Sequence, residues 1–174
     1  MLTLVTGGSG SGKSEFAENL TVSYKSSKLI YIATMYPYDD EAYKKIGRHK
    51  EMRKNKNFDT VECFTNLKKL DIPSGSSVLL DCMSNLVANE MYRDDGAKEL
   101  TVQNIIEGVK KIKDSADNFV IVTNEIFSDG IEYDEETNKY LRNLGMINSD
   151  IGKIADNVVE VVYTIPIFKK GEKL

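Results

Sequence analysis

Apolar residues fall along the chain in two alternating rhythms. Short, continuous, largely β-branched or leucine-rich runs occupy residues 2–6, 29–33, 78–81 and 119–123, the pattern of strands buried on both faces. A short run at 61–64 and a longer one at 158–164 complete the strand set, the last with a short terminal hairpin arm after it. Between the runs the spacing becomes helical. A helix is predicted from about Lys13, with Phe16, Ala17, Leu20 and Tyr24 on one stripe. A second spans residues 39 to about 54, its acidic start and basic end both suited to the helix dipole. A third covers 84–92 and is broken by Asp94-Asp95-Gly96. A fourth, at 100–113, aligns Val102, Ile105, Ile106, Val109 and Ile112, and a fifth, at 134–154, aligns Tyr140, Leu141, Leu144, Ile147, Ile151 and Ile154. Strands alternating with amphipathic helices predict an α/β three-layer fold on a mostly parallel sheet, with a short C-terminal β extension. No repeat or low-complexity linker interrupts residues 1–174, so one domain is expected.

Composition narrows the function classes. Lys plus Arg number 23 and Asp plus Glu 27, a formal net charge of −4, which argues against tight non-specific binding of nucleic acid. Hydrophobic residues at 41% are enough for a core at this length. The single histidine, His49, excludes a polyhistidine metal site but not a site built from carboxylates. Cys63 and Cys82 are too few for a disulfide framework and read as reduced thiols. No apolar stretch is long enough to span a bilayer, and residues 1–7 lack the basic start and apolar length of a signal peptide. A cytoplasmic protein without stable membrane insertion is expected.

The first chemical motif is Gly7-Gly8-Ser9-Gly10-Ser11-Gly12-Lys13-Ser14, which matches G-x-x-x-x-G-K-S between a strand and a helix. Glycines let successive N–H groups converge on phosphate oxygens, and the helix N-terminus adds its positive end. Lys13 is expected at the β- and γ-phosphates and Ser14 on Mg²⁺. Asp81 closes the apolar run at 78–80, the place of an acid that holds Mg²⁺ directly or through water. Its competing role is a cap on the following helix. These features predict a P-loop NTPase-like fold using a nucleoside triphosphate with Mg²⁺.

The second feature is a local inversion of charge. Lys44, Lys45, Arg48, Lys50, Arg53, Lys54 and Lys56 face a single acid, Glu51. Such a run is either a solvated helix face or a surface for phosphate. His49 lies in its middle, and a neutral imidazole is able to attack phosphorus and carry the group covalently. From the residues alone, three readings stand: a nucleotidyl and phosphoryl transferase, a small P-loop kinase acting on a nucleotide or other metabolite with His49 idle, and a non-enzymatic nucleotide switch.

Several segments, in order and over nearly the whole length, resemble the bifunctional adenosylcobinamide kinase / adenosylcobinamide-phosphate guanylyltransferase family of cobalamin biosynthesis. They are the loop from Val5 to Ser14, Tyr31-Ile32-Ala33-Thr34, and Gly47-Arg48-His49-Lys50-Glu51-Met52-Arg53, which is similar to the family's H-K-x-x-R segment. Further on come Glu62-Cys63, Asp81-Cys82-Met83-Ser84 with Asn89, Thr123-Asn124-Glu125 with Gly130-Ile131, and Gly145 with Asn148 ahead of Ala155-Asp156. The phosphate loop is generic, whereas the H-K-x-x-R, D-C and T-N-E blocks together are specific.

The resemblance implies two activities: phosphorylation of adenosylcobinamide by ATP or GTP, and transfer of GMP from GTP through His49 to adenosylcobinamide phosphate, giving adenosylcobinamide-GDP. It implies nucleotide contacts at Ala33, Thr34, Lys50, Glu51, Met52, Arg53, Glu62 and Asp81, with Glu62 suited to accept from the guanine edge. It also implies a corrinoid substrate and a homo-oligomer, a trimer, with corrinoid sites between subunits. Departures are Ser9-Gly10 in place of Ala-Arg, Leu86 for Trp, Phe127-Ser128-Asp129 as a bulkier loop, Glu132 for Pro, Thr164 for Gly, and Arg142 out of register with an arginine pair. They cluster on the corrinoid side and leave the His49 segment intact, so the guanylyltransferase is expected more firmly than the kinase.

Overall fold

The computed structural model describes residues 1–128 and 130–172, and all but the side chain of Met52 among them. Asp129 and the Met52 side chain therefore lie outside the described residues. The strands are β1 (Leu2–Thr6), β2 (Lys28–Ala33), β3 (Asp59–Glu62), β4 (Ser76–Asp81), β5 (Asn118–Val122), β6 (Asn157–Val162) and β7 (Ile165–Lys170). The helices are α1 (Lys13–Ser23), α2 (Asp40–Arg53), α3 (Met83–Tyr92), α4 (Thr101–Ser115) and α5 (Glu135–Ile154).

One sheet runs in the order β3-β2-β4-β5-β1-β6-β7. Every pairing from β3 to β6 is parallel, and β7 alone returns antiparallel along β6. The predicted β extension is thus an edge hairpin. The pleat divides the apolar residues between two cores. Leu2, Leu4, Val78, Leu80 and Ile121 face a layer of α3, α4 and α5, where Leu86, Ile105, Val109, Leu144, Ile147 and Ile151 are buried. Val5, Leu79, Val120, Val122 and Val159 face the other way, onto Ala17 and Leu20 of α1. Three layers follow directly, because a parallel sheet must be covered on both faces.

Two predicted strands shift. The third lies at Asp59–Glu62 rather than 61–64. It is an outer strand paired only with β2, so polar residues are tolerated, while Cys63 and Phe64 leave the strand. The Cys63 N–H still reaches Ala33 O at 2.9 Å and its side chain is fully buried. The last long strand ends at Val162, not 164, because Tyr163 and Thr164 adopt φ of 48° and 67° and turn the chain into β7. Paired positive φ values of this kind suit the twist of a two-residue hairpin.

Candidate active site

In parallel α/β sheets ligands bind beyond the carboxyl ends of the strands. Here β1, β2, β3 and β4 deliver the phosphate loop, Ala33, Glu62 and Asp81 to that end. Gly7 has no room for a side chain, since a Cβ would come within 2.6 Å of both Ser11 Oγ and Val161 O. Gly12, with φ of 89°, precedes α1, which begins without a side-chain cap. Its first-turn N–H groups are therefore available to an anion. Lys13 folds back so that Nζ donates to Gly8 O at 3.0 Å. Burial pushes its pKa below the usual lysine value, against the opposing pull of Cys82 and Asp81. A buried ammonium with one carbonyl partner is poised for an anionic ligand.

The turn from β6 to β7 closes one side of the loop, with Thr164 N–H donating to Ser11 O at 2.8 Å. The segment after β5 closes another. Glu125 N–H donates to Gly7 O at 3.0 Å, and Asn124 N–H to Ser84 Oγ at 3.3 Å.

Asp81 is nearly buried at the end of β4 and accepts a hydrogen bond from the Tyr31 hydroxyl at 3.1 Å. It does not cap α3, whose N-cap position is Cys82 with no side-chain hydrogen bond. Thr34, fully buried, clasps the next residue: its Oγ1 donates to Cys82 O and accepts from Cys82 N–H, each at 2.8 Å. Burial raises the Cys82 thiol to about 12, so it stays protonated.

Helix α2 carries the basic run. Asp39 caps it, its side chain accepting from Ala42 N–H at 2.7 Å. His49 and Arg53 share one face, four residues apart. The Arg53 guanidinium is buried and stacks 3.4 Å over the centre of the Tyr31 ring. His49 Nδ1 then lies 3.5 Å from Asp81 Oδ2, buried and without a hydrogen bond. Just past the helix, Lys56 Nζ binds the fully buried Glu18 of α1 at 2.8 Å. The basic run therefore divides. Lys45, Arg48, Lys50 and Arg53 line the cleft, Lys56 is a structural ion pair, and the exposed Lys54 pairs with Glu51 at 3.4 Å.

These parts enclose a cleft of about 470 Å³, within the range of small-molecule sites. Of the residues singled out in the sequence, Ser9, Gly10, Lys13, Ser14, Ala33, His49, Lys50, Arg53, Glu62 and Asp81 meet in it. Gly7, Gly8, Ser11 and Gly12 form the loop behind it, Thr34 is buried beneath its wall, and Glu51 is exposed beside it. Sequence reasoning missed Tyr31, Asn85, Asn124 and Phe64 as cleft residues. Tyr31 and Asn124 lie inside segments that carry the family resemblance, and Tyr31 had a further signal, a hydroxyl in an otherwise apolar strand, which when buried demands a partner. Among the described residues no three His, Cys, Asp or Glu side chains converge as a metal cage. The oxygen donors Ser14 and Asp81, together with phosphate oxygens, fit Mg²⁺, which is bound by few protein ligands plus substrate phosphates.

The family model CobU, cobinamide kinase / cobinamide phosphate guanyltransferase, matches residues 3–168. The bifunctional adenosylcobalamin biosynthesis protein CobU of Escherichia coli is 31% identical, covering 96% of this chain and 98% of that protein. Its namesake from Salmonella typhimurium is 30% identical, with the same coverage of 96% and 98%. The bifunctional adenosylcobalamin biosynthesis protein CobP of Pseudomonas aeruginosa is 26% identical over the full length of both chains.

Proposed function

Because the chain belongs to the cobinamide kinase / cobinamide phosphate guanyltransferase family of cobalamin biosynthesis, we propose that it phosphorylates adenosylcobinamide and then guanylylates the product through His49. The observation that supports the second step is the meeting of His49, Lys13 and Asp81 in one cleft, with His49 3.5 Å from Asp81. A phosphate loop alone serves any nucleotide. A histidine brought to the same cleft by a basic helix gives a nucleophile for phosphorus.

In the transfer, a ring nitrogen of His49 attacks the α-phosphorus of GTP, and the bond to the β-phosphate oxygen breaks. Pyrophosphate leaves with the electron pair. Lys13 and the N–H groups of the loop and of the first turn of α1 offset its charge. Lys45, Arg48 and Lys50 line the same cleft and lower the cost of gathering phosphates there. A magnesium ion, held by Ser14, Asp81 and the triphosphate, would neutralise further phosphate charge. A phosphate oxygen of adenosylcobinamide phosphate next attacks the same phosphorus, and the imidazole leaves. For the kinase step, Lys13 and the loop hold the triphosphate while the corrinoid hydroxyl attacks its terminal phosphorus; the bond to the β-phosphate oxygen breaks, the nucleoside diphosphate leaves with the electron pair, and the hydroxyl proton passes to solvent. Glu62 accepts from the guanine edge in this reading, which its position at the cleft wall beside Ala33 supports.

Protein loaded with GTP labelled on its α-phosphate, then stripped of free nucleotide, tests this reading. Added adenosylcobinamide phosphate should carry the label away as adenosylcobinamide-GDP. Label that stays on the protein would contradict it. We also infer a homo-oligomer, consistent with the exposed Ile165 and Ile167 on the edge strand β7, since apolar edges are normally covered. A monomer in light scattering would overturn that inference.

A further inference from the structure

The two nitrogens of His49 are not equivalent in this structure. Nδ1 is buried and faces Asp81 Oδ2 at 3.5 Å. The side chain is nevertheless 27% exposed, and Nε2, across the ring from Nδ1, is not one of its buried unpartnered atoms. Asp81 is itself held: Tyr31 Oη donates to the same Oδ2 at 3.1 Å. Tyr31 is 3% exposed, and its ring lies under the Arg53 guanidinium at 3.4 Å. Arg53 is one turn beyond His49 on α2, so the ring that orients Asp81 also seats the helix that presents His49. Both ends of the Asp81–His49 contact are thus set by one side chain.

We propose that Tyr31, through Asp81, holds His49 with Nδ1–H toward the carboxylate, so that Nε2 is the atom guanylylated. The proposal rests on His49 being the nucleophile. In the first step the Nε2 lone pair forms the bond to the α-phosphorus while the bond to pyrophosphate breaks. The ring becomes cationic and keeps its proton on Nδ1, beside the Asp81 carboxylate. In the second step the Nε2–P bond breaks, its electron pair returns to Nε2, and the neutral ring is restored. No proton leaves the pair in either step. A carboxylate at Nδ1 fixes the tautomer and stabilises the cationic ring. Asp81 Oδ2 serves this contact, which leaves Oδ1 for a cation. The Tyr31 hydroxyl is bonded to Asp81 and acts on His49 through it, which makes Tyr31 a positioning residue.

Two measurements test this. In protein guanylylated with GTP and labelled with ¹⁵N-histidine, ³¹P–¹⁵N coupling reports which nitrogen carries phosphorus. Attachment at Nε2 is expected, and attachment at Nδ1 would overturn the proposal. Tyr31→Phe keeps the ring under Arg53 and removes only the hydroxyl. It is expected to slow single-turnover guanylylation about tenfold, the low end of the range for a hydrogen bond to a charged group. GTP affinity should stay within about twofold, since the hydroxyl removed is the one engaged with Asp81 Oδ2. An unchanged rate, or a loss explained by weaker GTP binding, would overturn it. Wild type that takes no label at all would fail the nucleophile reading itself, a result distinct from label on the wrong nitrogen.

Discussion

Lys13 shows how a single position can join stability to function. Its ammonium is largely buried, has one carbonyl partner at 3.0 Å, and titrates below the usual lysine range because of that burial. An anionic ligand would supply the charge that the site lacks. Lys13→Ala is therefore expected to weaken triphosphate binding by roughly 10–100-fold, the range of a charge-assisted hydrogen bond, while leaving the fold intact. Calorimetric titration with GTP checks this, and unchanged affinity would contradict it. At the same scale Gly7 is legible as chemistry and unforeseen as packing. The motif predicts a glycine for phosphate approach, whereas the structure adds that Val161 O and Ser11 Oγ fill the space a Cβ would need.

Among the α-helices, α2 is the least embedded. Most of its residues are exposed, and it is anchored at its C-terminal end by Arg53 on Tyr31 and, just beyond, by Lys56 on Glu18. Glu18 is fully buried, with one carboxylate oxygen on Lys56 and the other unpartnered. Removing Lys56 would leave an uncompensated buried charge. Lys56→Met is expected to cost about 2 kcal/mol, below the full penalty for a buried pair because Lys56 is partly solvated. Lys56→Arg should cost less than half of that. Urea unfolding checks both, and a neutral Lys56→Met would show that the pair does not anchor the segment. This pair also marks where sequence reasoning stops. Strands and helices of the two cores were legible because 2- and 3.6-residue periods follow burial. The phosphate loop was legible because its spacing is its mechanism. Glu18 was not, because a carboxylate on a short helix reads as solvent-facing until a lysine 38 residues away is known to reach it. Tyr31 offered a hydroxyl in an apolar strand, but its partner could not be read, since Asp81 is 50 residues away. The outer strand β3 was misplaced because at a sheet edge polarity no longer reports burial.

At the scale of the whole molecule, burial also sets the response to pH. Cys63 and Cys82 are raised from the ordinary thiol value of 9.0 to about 11 and about 12, chiefly by burial. Tyr24, Tyr31, Tyr92 and Tyr140 are raised too, for the same leading reason. Each group holds its proton in the folded state longer than in the unfolded chain. The stability they confer is full below pH 9 and is lost as pH rises from there through the raised values. Lys13 acts oppositely but is one group against six. Urea midpoints should therefore fall between pH 9 and 10.5, and a rise would contradict the balance. The sheet order brings the ends of β1, β2, β3 and β4 to one cleft, and α2 brings the chain's single histidine to the same place. The most direct measurement of what this arrangement does is mass spectrometry of the protein after incubation with GTP and Mg²⁺. The expected result is one GMP added at His49, acid-labile and base-stable, with pyrophosphate released and no adduct in His49→Ala. An unmodified wild-type protein, or GMP on any other residue, would contradict the proposed mechanism.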